Sequence, residues 1–194
     1  RPIVHGATYF ADLADRISQM GEGDRVYFVD WRGDPDEHLN DDGLTLVEVL
    51  TAALDRGVDV RGLLWRSHWR KLGFHSERSF ELGKTIEKHG GQCLRDMRVR
   101  TGGAHHQKFV VLRHRDDPSR DVAYVGGIDL CHSRRDDDGH EGDPQPLRIA
   151  AEYGPQPAWH DVQVAIQGPA VHDVETTFRE RWEDSTPLTS NPGR

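Results

Sequence analysis

The sequence predicts an α/β fold, a sheet with helices packed on it. Three observations predict it. Apolar runs of strand length alternate along the chain with longer segments of helical period. Glycines and prolines punctuate the gaps between them. The 194 residues are enough for one domain with a sizeable core.

The elements follow in order. Residues 9–20 (YFADLADRISQM) place Phe10, Leu13, Ile17 and Met20 on one helical face. After the Gly21/Gly23 turn, residues 24–31 (DRVYFVDW) read as a strand, followed by a polar, acidic loop over 32–43. Residues 44–56 read as a helix stopped at Gly57, and 58–65 (VDVRGLLW) as a strand. A helix over 76–89 stops at Gly90-Gly91, and 92–99 (QCLRDMRV) is a third strand. Two further strands carry HHQKFVVL (105–112) and AYVGGIDL (123–130). From 131 to 158 the pattern dissolves into RRDDD, glycines and prolines, too long for an idle connector. Residues 160–167 alternate as a strand, and Gly168-Pro169 opens a helix with Val171, Val174, Phe178 and Trp182 as its buried stripe. The expectation is a single domain over 1–194 with a long irregular loop over 131–158.

Composition narrows the function. Net charge is −8, with 35% apolar and 30% charged residues. An acidic chain argues against a general nucleic-acid binder, though Arg95, Arg98 and Arg100 crowd before HHQK as a local basic group. Cys93 and Cys131 are far apart and lack CxxC spacing, so they read as buried small residues rather than zinc ligands. No HxH or HxxxH pair sits beside suitable carboxylates, His160-Asp161 being the nearest approach, and Asp136-Asp137-Asp138 reads as a solvated loop. No metal and no cofactor are expected. No signal peptide or membrane span is visible. The chain opens on Arg1, which reads as a processed or excised piece, with a cytoplasmic or peripheral membrane location favoured.

The chemistry centres on His106-Gln107-Lys108, which leads into the apolar run FVVL. On a strand, residues i and i+2 share a face, so His106 and Lys108 project together while His105 points away. A neutral imidazole can attack an electrophile, and an ammonium beside it can hold an anion. That pairing points to phosphoryl chemistry. Gly126 and Gly127 permit a close backbone approach, and Asp129 follows them.

HHQKFVVL and VAYVGGIDLCHSRRDDDGH resemble the phospholipase D superfamily, whose signature is H-x-K followed by a glycine pair with a polar residue two positions on. PAWHDVQVAIQGPAVHDVETTFRERW (157–182) and FVDWRGD (28–34) resemble further segments of phospholipases D that act on phosphatidylcholine. The likeness covers residues 24–187 and looks like the first half of a two-motif enzyme. It implies a mixed sheet flanked by helices, with one HxK half. It implies His106, Lys108 and Asp129 as catalytic residues, with Gly126, Gly127, Asp136, His160 and Asp161 binding substrate or supporting the site. Arg134 and His140 match positions around the mouth of the site. One position departs: Arg113 stands where the family's motif carries aspartate, which places the strand-end packing in question.

The resemblance implies transfer or hydrolysis of phosphatidyl groups through a phosphohistidine on His106, with Asp136 a candidate to orient that ring. Two histidines and two lysines must then face one phosphate, and this chain has one HxK. The expected partners are a phospholipid substrate and a second HxK half, in the same longer chain or in a homodimer, with at most peripheral membrane contact. The isolated monomer is expected to be inactive. The alternatives are a nuclease-type phosphodiesterase of the same superfamily and a non-catalytic scaffold half.

Overall fold

The computed structural model describes residues 1–67, 73–100, 103–141 and 159–188. The strands are β1 (Pro2–Val4), β2 (Arg25–Asp30), β3 (Asp59–Trp65), β4 (Gln92–Asp96), β5 (Phe109–Arg113), β6 (Val122–Gly126) and β7 (Val162–Ile166). The helices are α1 (Gly6–Ser18), α2 (Leu46–Asp55), α3 (Gly73–Lys88) and α4 (Ala170–Trp182). The strands form one mixed sheet in the order β1-β7-β6-β5-β2-β3-β4. β2, β3 and β4 run parallel, and β5 pairs antiparallel with β2. β5, β6, β7 and β1 continue antiparallel.

Period-two alternation divides the strands between two cores. Val26 and Phe28 of β2 join Val110 and Leu112 of β5 against α1, α2 and α3. Tyr27 and Val29 join Val111 and Ala123 on the other face, under Val171 and Phe178 of α4. Tyr27, Phe178 and Trp182 stack in series at 4.7 and 5.2 Å. α2 begins at a capping box, where Glu48 N–H donates to Thr45 Oγ1 and Thr45 N–H to Glu48 Oε2, and it stops before Gly57 at φ 85°.

Most of the expected elements form. β1, too short to carry a periodic signal, adds an edge strand beside β7. The strand expected over 92–99 ends at Asp96, where Arg98 folds back onto the Asp96 carboxylate. The segment expected as part of the HxK strand differs more. β5 begins only at Phe109, so His106 and Lys108 lie in the irregular approach to the strand. Of the loop expected over 131–158, residues 142–158 lie outside the described residues.

Arg113 resolves into a rearranged ion cluster. Its guanidinium meets Asp121 at 3.1 Å and Glu175 of α4 at 3.2 Å. Asp121, which precedes β6, also accepts the His114 N–H at 2.6 Å. A carboxylate eight residues along the chain thus closes the end of β5, and Arg113 ties that end to α4. Asp121 is buried, and its loss orphans the buried His114 N–H and leaves Arg113 with Glu175 alone. Asp121→Ala should therefore cost about 2 kcal/mol in urea denaturation, while Asp116→Ala, at an exposed carboxylate, should leave the midpoint unchanged.

Candidate active site

The sheet topology collects one end of each of several strands. β2 ends at Asp30, β6 at Gly126, and the approach to antiparallel β5 arrives at the same rim. Lys108 enters here buried, while His106 is exposed. Lys108 Nζ donates to the His106 carbonyl at 3.3 Å and lies 3.3 Å from Asp129 Oδ2. Asp129 is fully buried, and its Oδ1 accepts the Trp31 and Arg32 N–H groups at 2.9 and 3.3 Å. This carboxylate therefore fastens the β2 end to the β6 end and holds the lysine between them. Arg134 reaches the same Oδ2 at 3.9 Å and lies over the Trp159 ring at 4.5 Å.

The His106 ring faces Trp31 with centroids 5.8 Å apart, and Lys108 Nζ lies 5.9 Å from the same indole. Trp31 in turn stacks on Trp65. A cleft of about 420 Å³ opens beside His106 and Lys108, between Phe109, Val125 and Gly126 of the sheet and Asp173 and Val174 of α4. A cation fixed by a buried carboxylate and an imidazole open to solvent thus border one cavity.

The glycine pair serves packing. A Cβ on Gly126 would strike Val162 and Gln163, and one on Gly127 would strike the Asp161 carboxylate. Both glycines let β7 close on β6, and Gly127 N–H donates to the Val162 carbonyl at 3.3 Å. Asp161 supports that turn, accepting the Val162 N–H at 2.7 Å.

Asp136 and His160 belong to a second cluster. The buried Asp136 Oδ2 accepts from His140 Nδ1 at 2.8 Å and His160 Nδ1 at 3.1 Å, and His5 Nδ1 lies 3.9 Å away. Asp136 is thus engaged by histidines other than His106, the ring it was expected to orient. Burial pushes the Asp136 carboxyl up, but the hydrogen bonds from His140 and His160 outweigh it and hold the carboxyl below its ordinary value. One ligand-type atom from each of His5, Asp136, His140 and His160 falls within 4.8 Å of the others. Three imidazoles and a carboxylate can hold a divalent cation of the zinc type. His5 and His140 both adopt positive φ, at 71° and 52°, which concentrates backbone strain in this cluster. Sequence reasoning missed the set because, beyond the Asp136/His140 pair, its members lie at residues 5 and 160, far apart along the chain.

The arginines before HHQK do not form a free basic patch. Arg98 is held by Asp96 and by the Asp184 carbonyl, and Arg95 lies over the Phe80 ring. His105 is buried and donates Nε2–H to Gln107 Oε1 at 3.0 Å, with Nδ1 4.0 Å from Asp96. It is an anchor for the segment that presents His106.

A mixed α/β sheet that gathers an exposed histidine and a buried lysine at one rim defines the class of HxK proteins. The comparison with known families makes this particular: the Phospholipase D family matches residues 36–191, and the chain belongs to that family. Phospholipase D alpha 1 of Cynara cardunculus is 29% identical over 88% of the chain and 26% of its own length. The chain thus spans about a quarter of the length of the curated relatives it matches. Among solved structures, polyphosphate kinase from Porphyromonas gingivalis superposes with TM-score 0.58 at 16% identity, over 98% of this chain and 27% of that one. Phosphatidylserine synthase of Haemophilus influenzae superposes with TM-score 0.54 at 13% identity, over 92% and 36%. These two likenesses establish the fold. No helix among the described residues is long and apolar enough to cross a membrane.

Two outcomes follow from the two clusters. Burial, with the Arg181 guanidinium adding to it, pushes the His105 imidazole from its ordinary 6.5 down to about 4. A depressed histidine pKa withholds protons from the folded state, so stability falls as pH drops from 6.5 toward 4 and is fully present above that window. The loss amounts to about 3 kcal/mol, and His105→Gln should flatten that limb of a pH series of urea melts. At the second cluster, excess Zn²⁺ should raise the Tm of chelator-treated protein, and the double variant His140→Ala/His160→Ala should abolish the rise.

Proposed function

We propose that this chain is one half of a phosphodiesterase active site that transfers phosphatidyl groups, hydrolysing the diester when water is the acceptor. The observation that carries the reading is the pairing of a buried ammonium at Lys108, fixed by Asp129, with an exposed imidazole at His106 on the rim of one cleft. Membership in the Phospholipase D family and the names of its relatives support a phospholipid as the substrate.

A phosphodiester resists nucleophiles because its oxygens are negative. Lys108 donates charged hydrogen bonds to a non-bridging oxygen, and Asp129 keeps it aimed by bonding at once to the β2 end. His106 in its neutral form attacks phosphorus through a ring nitrogen. A P–N bond forms, and the P–O bond to the headgroup alcohol breaks. The leaving oxygen takes a proton from a second histidine, which then removes a proton from the incoming water or alcohol; that oxygen bonds to phosphorus as the P–N bond breaks and frees His106. The second histidine and lysine belong to another HxK half, supplied by the same longer chain or by a second copy. Asp129, Gly126, Gly127 and Asp161 act by holding strand ends in place, with Asp136 and His160 in the neighbouring cluster.

The full-length protein, incubated with phosphatidylcholine vesicles and ethanol, should form the phosphatidyl ethanol ester. His106→Ala should lower that rate by about 10³-fold or more, and Lys108→Met should fall comparably. Unchanged transfer by His106→Ala would refute the reading. The 194-residue chain, held monomeric by dilution, should not turn over.

A further inference from the structure

A second carboxyl, which the proposed reaction does not use, lies at the buried end of the Lys108 pair. Asp30 is the last residue of β2 and is 1% exposed, and its Oδ2 is buried with no hydrogen-bond partner among the described residues. Asp129 is bound through its Oδ1 to Trp31 and Arg32, the two residues that follow Asp30, so the two carboxyls share one buried pocket. The antiparallel register, with Val29 opposite Phe109, sets Lys108 across from Asp30, and the buried Tyr9 of α1 feels the Asp30 charge. Arg134 meets only the Asp129 side.

The charges do not balance if both acids ionise. Asp129 has two backbone donors on one oxygen and two cations near the other. Asp30 Oδ2 has no hydrogen-bond partner among the described residues. The proton therefore resides on Asp30. Burial first and the Asp129 charge second push the Asp30 carboxyl well above the usual range, with Lys108 opposing them. Burial raises the Asp129 carboxyl as well, but Lys108, Arg134 and the Arg32 N–H all oppose it there, so the geometry places the proton on Asp30. The Tyr9 phenol is pushed up by burial and then by Asp30, so it adds no charge.

We propose that Asp30 is a positioning residue of the site, a neutral carboxylic acid that leaves Lys108 with one ionised neighbour and so preserves the positive charge that attracts a phosphate. Lys108 and Arg134 set against ionised Asp129 leave one positive charge. An ionised Asp30 cancels it. The inference rests on the reading of Lys108 as the phosphate cation.

The test is calorimetric binding of inorganic phosphate to the whole chain between about pH 6 and 9, in wild type, Asp30→Asn and Lys108→Met. Phosphate's own ionisation is common to all three. At the acid end, wild type and Asp30→Asn should bind alike. Where Asp30 ionises, wild type should weaken several-fold relative to Asp30→Asn. Parallel profiles across that ionisation overturn the role of Asp30. Binding that survives Lys108→Met overturns the phosphate reading beneath it, which keeps the two failures distinct. A ¹³C-carboxyl titration of aspartate-labelled wild type adds a measurement that needs no variant to fold. One buried carboxyl should stay protonated through neutral pH, and its absence overturns the proposal.

Discussion

The ion pair between Lys108 and Asp129 is the constraint on which the site depends. A buried ammonium is costly unless paired, and its partner must itself be held. Asp129 is held by two backbone N–H groups at the end of β2, two positions across the sheet from β6, the strand that Asp129 follows. The pair therefore joins the parallel half of the sheet to the antiparallel half at the rim where His106 emerges. Loss of either partner would leave a charge inside the rim and loosen the segment that presents the imidazole.

That constraint explains the surrounding choices. Gly126 and Gly127 bring β7 close enough for Asp161 to brace the turn before Asp129. His105, neutral and buried, anchors the approach to β5 against Asp96, which also gathers Arg98 and Arg181. At the far end of β5, Arg113 and Asp121 fasten the strand to α4. The histidines around Asp136 bond to that carboxylate rather than to Lys108 or Asp129.

Much of this was legible in the sequence, because periodicity and turn residues carry the elements and the HxK and GGID segments carry the likeness to the family. What was not legible had specific physical reasons. β1 is three residues long, too short for a period. His106 and Lys108 escaped the strand because pairing with β2 starts only at Phe109 and Val29. The four-residue histidine set and the substitute carboxylate at Asp121 depend on contacts that local spacing does not encode. Asp30 sat inside an apolar run, and only burial beside Asp129 distinguishes it from an ordinary strand-end aspartate.

The central claim is that His106 becomes covalently bound to phosphorus. The most direct measurement is an acid-free quench of the full-length protein during turnover of a phospholipid, followed by peptide mass spectrometry. The account predicts a phosphatidyl adduct on a histidine of the peptide containing His106, its P–N bond lost in acid but kept in base even where the acyl esters are cleaved, and absent from His106→Ala. An adduct on another residue during active turnover, or none on any histidine while product accumulates, would contradict it.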